Sequence, residues 1–307
     1  MNDSPFEPVV SVRAAALPRA ISPAQRARAF LALTKPLQTL LLLVTGVCAY
    51  ALSRPGTMLW NELIGGGLAL LGTVAGCTAL NMVLDRDIDA RMARTHGRPL
   101  PSGRLTVRSA VLFGALLSAA GLGLAWALAP LFGLIVSLGF VVDLGVYTLW
   151  LKRRTPLSIL WGGVSGGMPA LAGRALAIGQ VDAIGLLLAT GVLLWIPAHI
   201  LTLSTHRAGD YERAGVPVYP NVHGLAATRR LVAAATLLDV VVLGLAGWLL
   251  HVHPLALGVL AVMGAALSAL AVAALIRPSQ RLNWLIFKTA SVYMLGAFVC
   301  LTIGAVA

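Results

Sequence analysis

Residues 81–100 read NMVLDRDIDARMARTHGRPL, closing a long apolar run and opening a basic loop. Asn81, Asp85 and Asp89 are spaced i, i+4, i+8. On an α-helix that spacing puts them on one face, drifting by about 40° per step. The two carboxylates, Asp85 and Asp89, repel each other when ionised, and a hard divalent cation relieves the repulsion, with the Asn81 amide oxygen as a third ligand. Mg²⁺ suits the role because it takes one or two carboxylates and completes its shell with substrate phosphate. Asp87 falls on the opposite face and is expected to pair with a nearby arginine. Arg91, Arg94, Arg98 and Arg104 follow at once, and their guanidinium forks match phosphate oxygens. Carboxylates beside arginines at the edge of an apolar run point to a diphosphate with a lipid tail, head at the mouth and tail between helices.

The rest of the chain supplies the apolar surroundings. Of 307 residues, 58% are hydrophobic and 11% charged, and the mean hydropathy is +0.87. That excludes a soluble enzyme, a disordered protein and a fibrous one. At about 20 residues per membrane-spanning helix, the apolar content fills about nine. Nine apolar runs are present, near 36–53, 63–83, 109–128, 131–150, 158–178, 183–204, 230–250, 255–276 and 284–305. The expected fold is an all-α polytopic membrane protein, nine transmembrane helices around a central cavity. It forms one domain over 31–307, behind a disordered cytoplasmic tail over 1–30.

Of the 23 Lys and Arg, 21 fall in segments on one side of this arrangement, and only Arg54 and Arg174 lie near the other. The positive-inside rule then puts the N-terminus in the cytoplasm and residues 81–100 at the cytoplasmic face of a cell membrane. The net charge of +12 is therefore read as a topology signal and phosphate ligands, with no nucleic-acid partner. Cys48, Cys77 and Cys300 each lie inside an apolar run, with no Cys-x-x-Cys pair, and are expected as small core residues.

A second polar segment ends the sixth run. His199, His206 and Asp210 share a helical face, with Asp210 the candidate second metal ligand and His199 and His206 candidate contacts to an acceptor. Pro-x-x-Pro-like punctuation follows both acidic segments, a faint internal repeat four spans apart that keeps both on one membrane face. Between the fourth and fifth runs, Tyr147 is a further candidate acceptor contact, and Lys152 and Arg153 can reach a diphosphate at the same mouth. A transporter with Asp143, Asp239 and His199 along an ion path stays open as an alternative from another class.

These residues resemble the UbiA superfamily of intramembrane prenyltransferases, and within it the protohaem IX farnesyltransferases. The resemblance covers nearly everything after residue 30: residues 33–36 (LTKP), 81–104, 147–157, 162–169 and 210–217. It implies transfer of farnesyl from farnesyl diphosphate to a vinyl group of protohaem IX, with Mg²⁺. Position by position it places Asn81, Asp85 and Asp89 in the first metal motif, and Arg94 and Arg98 in its basic extension. Lys152 and Arg153 become the basic pair, and Asp210 the second motif. Association with a downstream haem-modifying enzyme or oxidase assembly is expected alongside. The sequence departs at the second motif, where the family's Arg-Lys-Asp-Asp-Tyr reads RAGDY over 207–211, and at 197–201, where Pro-Pro-His-Phe-Trp reads PAHIL. Both changes bear on the acceptor, so a quinone precursor or another tetrapyrrole is the alternative within the same chemistry.

Overall fold

A computed structural model describes residues 22–307, and among them the chain is helical with no strand. The first helix, α1 (Pro23–Leu33), starts on a capping box. The Ser22 hydroxyl accepts from the Gln25 N–H at 3.2 Å, the Gln25 side chain accepts from the Ser22 N–H at 2.9 Å, and Pro23 needs no N–H partner. Of the tail expected over 1–30, residues 1–21 lie outside the described residues, and the stretch from Pro23 belongs to helix α1. Helix α2 (Pro36–Ala51) follows at a 48° bend. Pro36 bars helix α1 from running on, and the hinge residue, Lys35, takes a left-handed conformation at φ 45°.

Helix α3 (Trp60–Leu84) stops at Asp85, whose φ −90°, ψ 4° makes a joint with the short α4 (Arg86–Arg91). Then come α5 (Val107–Leu128), α6 (Pro130–Leu151), α7 (Ser158–Ile178) and α8 (Ala183–His206). A short α9 (Ala208–Arg213) leads to α10 (Tyr219–Leu249), α11 (Pro254–Ile276) and α12 (Gln280–Val306). Two helices widen into π-helix, α6 over Val142–Leu151 and α8 over Pro197–Leu201. Such insertions concentrate at functional sites, and both lie near the acidic segments.

Small residues set how closely the helices approach. A Cβ on Gly76 of α3 would collide with the Ser118 Oγ of α5, and one on Gly173 of α7 would collide with the Gly46 carbonyl of α2. Leu188, Leu243, Leu267, Tyr293 and Phe298 fill the core on the α8–α10–α12 side. The outward faces are apolar: Leu116, Val262 and Ile303 stand exposed. Exposed tryptophans ring both ends, Trp60, Trp126 and Trp248 at one and Trp150 and Trp161 at the other, as expected where indoles meet membrane interfaces.

Seven helices are long and apolar enough to cross a membrane: α3, α5, α6, α8, α10, α11 and α12. Counting α1 and α2 as one bent span makes eight. The expected nine is not reached by this measure. Helix α2 has only 16 residues, and α7, at 21, is glycine-rich and contains Pro169 and Arg174.

Candidate active site

The α3–α4 joint carries the acidic segment without losing its register. The Asp85 N–H donates to the Asn81 carbonyl at 2.9 Å and the Asp89 N–H to the Asp85 carbonyl at 2.8 Å. Asn81, Asp85 and Asp89 are all buried, at 5%, 2% and 4% exposure. The Asp87 side chain, one face away, keeps 44% of its surface. It pairs with arginine as expected: Arg153 grips both its oxygens at 2.6 and 2.7 Å. That hydrogen-bonded guanidinium pulls the Asp87 carboxyl down to about 2.

Each inward-facing group already has a cationic neighbour. Lys152 bonds one oxygen of Asp85, and the other Asp85 oxygen is buried with no partner among the described residues. Arg98 donates to both oxygens of Asp89 at 2.8 Å. Asn81 accepts from the Lys35 ammonium at 3.3 Å and donates to the Thr148 hydroxyl at 2.7 Å. Thr148 in turn donates to the Asp143 carbonyl at 2.7 Å, inside the π-helical stretch of α6. The ammonium of Lys152 sits 5.5 Å from the centre of the Tyr147 ring.

The second polar segment meets the first. Asp210, buried at 5% exposure, accepts from the Ala93 N–H at 3.2 Å, in the loop after α4, and also pairs with Arg213. Burial opposes its charge, but Arg213 and the Ala93 N–H prevail, so Asp210 titrates below the ordinary carboxylate range. His199 lies between Trp195 and Phe287, with ring centres 4.6 Å away on each side, and its Nδ1 meets the Ser291 hydroxyl at 3.1 Å. Both faces of that imidazole are covered, leaving only its edge for an acceptor. His206 is exposed and packs 5.0 Å from Trp284.

Two of the expected diphosphate ligands, Arg153 and Arg94, make no hydrogen bond or ion pair with Asp85 or Asp89. Arg153 is committed to Asp87 and to the Leu84 carbonyl at 3.0 Å, because Asp87 offers it a bidentate partner on the outer face. Arg94 is exposed and, among the described residues, bonds nothing. Conversely, Lys35, Thr148 and Arg213 belong to the site, and sequence reasoning missed all three. For Lys35 the signal was its place before Pro36, which forces a break at the helix end. Thr34 fixes that break, its carbonyl accepting from Thr39 at 2.6 Å and Thr78 at 3.1 Å.

Below Asn81 the bundle is hollow. An apolar cavity of about 90 Å³ is bordered by Cys77 and Thr78, one turn from Asn81, by Phe140 and Met168, and by Asp143. Asp143 is no free carboxylate: Cys77 donates to it at 3.2 Å and Ser165 at 3.4 Å. Neither Asp239 nor His199 borders this cavity, so the three residues of the transporter alternative do not share it. Among the described residues no three His, Cys, Asp or Glu side chains form a metal cluster by themselves.

The chain is similar to known proteins in both sequence and fold. Protoheme IX farnesyltransferase of Alkalilimnicola ehrlichii is 38% identical over 283 residues, covering 90% of this chain and 92% of that one. The protein of the same name from Korarchaeum cryptofilum is 44% identical over 211 residues, 69% of this chain and 71% of that one. The fold matches a structure of digeranylgeranylglyceryl phosphate synthase at a TM-score of 0.76 and 19% identity, over 92% of this chain and 99% of the other. It also matches a UbiA homolog from Archaeoglobus fulgidus bound to DMAPP and Mg²⁺, at a TM-score of 0.61 and 15% identity, over 89% of this chain and 99% of the other. Residues 42–301 match the UbiA prenyltransferase family, and the chain belongs to it.

Proposed function

We propose that this protein transfers the farnesyl group of farnesyl diphosphate to a vinyl group of protohaem IX. The observation that carries the reading is the contact of Asp210 with the loop just after Asn81–Asp85–Asp89, beside Lys35, Arg98 and Lys152 and with an apolar cavity one turn from Asn81. The relatives named protoheme IX farnesyltransferase support the donor and acceptor. The residues fit a Mg²⁺ shared with substrate. The orphaned, buried Asp85 oxygen lacks a positive partner, and a donor set of carboxylates and an amide, too few for a closed cage, suits a cation completed by phosphate. Asn81, Asp85, Asp89 and Asp210 would hold it, and when bound it would neutralise charge on the departing diphosphate.

The protein's own groups do the rest. Lys35, Arg98 and Lys152 bind the diphosphate oxygens, exchanging their present partners for it, and Arg94 closes from the exposed side. They stabilise the charge that grows as the C1–O bond breaks and its electron pair leaves with diphosphate. The apolar cavity receives the prenyl chain and keeps water from the allylic cation. The vinyl π pair forms the new C–C bond. Water then adds to the resulting cation and loses a proton, leaving a hydroxyethylfarnesyl side chain. The edges of His199, His206 and Tyr147 are the proposed acceptor contacts.

We further infer nine crossings, with α2 and α7 counted as spans held by their packing against neighbours. The N-terminus and the site face the cytoplasm of a bacterial cell, on the asymmetry of Lys and Arg. So oily a product suits direct handover to a haem-modifying enzyme or oxidase assembly. The test is incubation of the purified protein with farnesyl diphosphate, protohaem IX and Mg²⁺, with mass spectrometry of the haems. A farnesylated hydroxyethyl haem that disappears with EDTA is expected. Diphosphate release without haem product, restored by another acceptor, would move the reading to that acceptor, in keeping with Ala208 and Gly209 in the second motif.

A further inference from the structure

The larger cavity lies away from the acidic segments, between α8, α10, α11 and α12 at the same end of the bundle. It measures about 200 Å³. Its deeper wall is apolar, with Val232, Ala274 and Ile286. Its rim is polar, but most of that polarity is spent. Thr228 donates to the Gly224 carbonyl at 2.8 Å, Thr205 to Leu201 at 2.9 Å, and Asn283 to Thr202 at 2.8 Å. The donors still available are the Arg229 guanidinium and the Gln280 amide, neither of which has a partner among the described residues, and the O–H of Ser279, whose oxygen accepts from the Leu282 N–H at 3.1 Å. Arg229 is half-buried, whereas its neighbour Arg230 is exposed.

Charge around the rim is one-sided. Arg229, Arg230, Arg277 and Arg281 cluster at these helix ends, and none makes an ion pair among the described residues. From residue 213 to the C-terminus the one acidic side chain is Asp239, buried deep in α10. Leu225, 45% exposed, borders the cavity, an exposed apolar side chain that suits contact with lipid. A topology signal alone needs exposed arginines. It does not need one drawn into a hollow with an apolar floor.

We propose that this cavity binds the head of an anionic phospholipid from the adjoining leaflet. The phosphate meets Arg229 and Gln280, the rim arginines add attraction, and the glycerol and first acyl methylenes lie on Val232, Ala274 and Ile286. Basic pockets between helices at this depth select anionic heads over zwitterionic ones. The site is independent of the prenyl-transfer reading.

Native mass spectrometry of the full chain, freed from mixed micelles of phosphatidylglycerol and phosphatidylcholine, tests it. Retention of phosphatidylglycerol over phosphatidylcholine by about tenfold is expected, the scale of one charge-assisted contact. Arg229→Gln should remove the preference while leaving turnover in detergent unchanged. Gln280→Leu, at an exposed position safe for folding, should reduce it and serves if Arg229→Gln does not yield folded protein. Equal retention of the two lipids, or a preference that survives both variants, overturns the proposal. So does displacement of phosphatidylglycerol by equimolar oleate, which would assign the cavity to a carboxylate.

Discussion

The two ends of the bundle both carry charge, and they use it differently. At the end where α2 stops and α8 starts, the charges are matched. Arg174 holds Asp182 through two bonds of 2.7 and 2.5 Å and the Ser53 hydroxyl at 3.0 Å. Arg54 lies 3.9 Å from Glu62 and donates to the Ala177 carbonyl at 2.6 Å. Two cations meet two anions, and the hydrogen bonds close on helix ends. At the end where α3 stops, the pairing among the described residues is incomplete. One Asp85 oxygen is buried without a partner, Lys35 has only a neutral amide, and Arg94 has nothing. The closed pairs at the first end suit a structural role, whereas the incompletely paired set at the other end is the one proposed to handle the substrate.

The largest expected effect comes from Asp85→Ala. It removes the orphaned oxygen and frees Lys152, so it should lower prenyl transfer by about 100- to 1,000-fold, the range for losing one preorganised electrostatic group. Single-turnover assays on protein extracted from the membrane in wild-type yield are the measurement. Turnover within a few fold of wild type would erase the distinction between the two ends.

The converse variant sharpens it. Asp182→Ala strips Arg174 of its partner and also removes the N-cap of α8, where the Asp182 side chain accepts from the Gly185 N–H at 2.9 Å. Together these should cost about 3 kcal/mol of stability, read as a lower melting temperature in detergent. Turnover per folded molecule should be unchanged. A loss in turnover comparable with that of Asp85→Ala would show that the closed pair also serves the chemistry.

Much of this was legible in the chain because helical spacing is a rigid rule. The i, i+4, i+8 run of Asn81, Asp85 and Asp89 carried through the α3–α4 joint, since main-chain bonds bridge it, and Asp87 faced away to an arginine as the same rule requires. The spans were legible too, but the count of nine is not reached by length and apolarity, because α2 has only 16 residues and glycines, Pro169 and Arg174 dilute the apolar character of α7. Lys35 and Thr148 were not legible as site residues. One depends on a hinge imposed by Pro36, the other on a π-helical widening of α6, and neither leaves a periodic mark. Arg153 was assigned to the diphosphate because sequence shows which cations are near, but not which carboxylate wins them.

The smallest effect tests that last point. Asp87 titrates at about 2 instead of its ordinary 3.8, chiefly because Arg153 holds it. A carboxyl depressed in the folded state adds stability above its unfolded value. That contribution is present above about pH 4 and fades as pH falls through about 2. Both side chains are 44% exposed, so solvent and salt screen the pair and its worth is below about 1 kcal/mol. Asp87→Asn should therefore leave the melting temperature nearly unchanged at pH 7 and flatten its fall between pH 4 and 2. It should also release Arg153 from the outer face. If Arg153 then joined the diphosphate ligands, the KM for farnesyl diphosphate would drop in this variant. An unchanged KM is expected, since Leu84 still offers its carbonyl to Arg153, and a several-fold drop would show that Asp87 is what keeps this guanidinium out of the mouth.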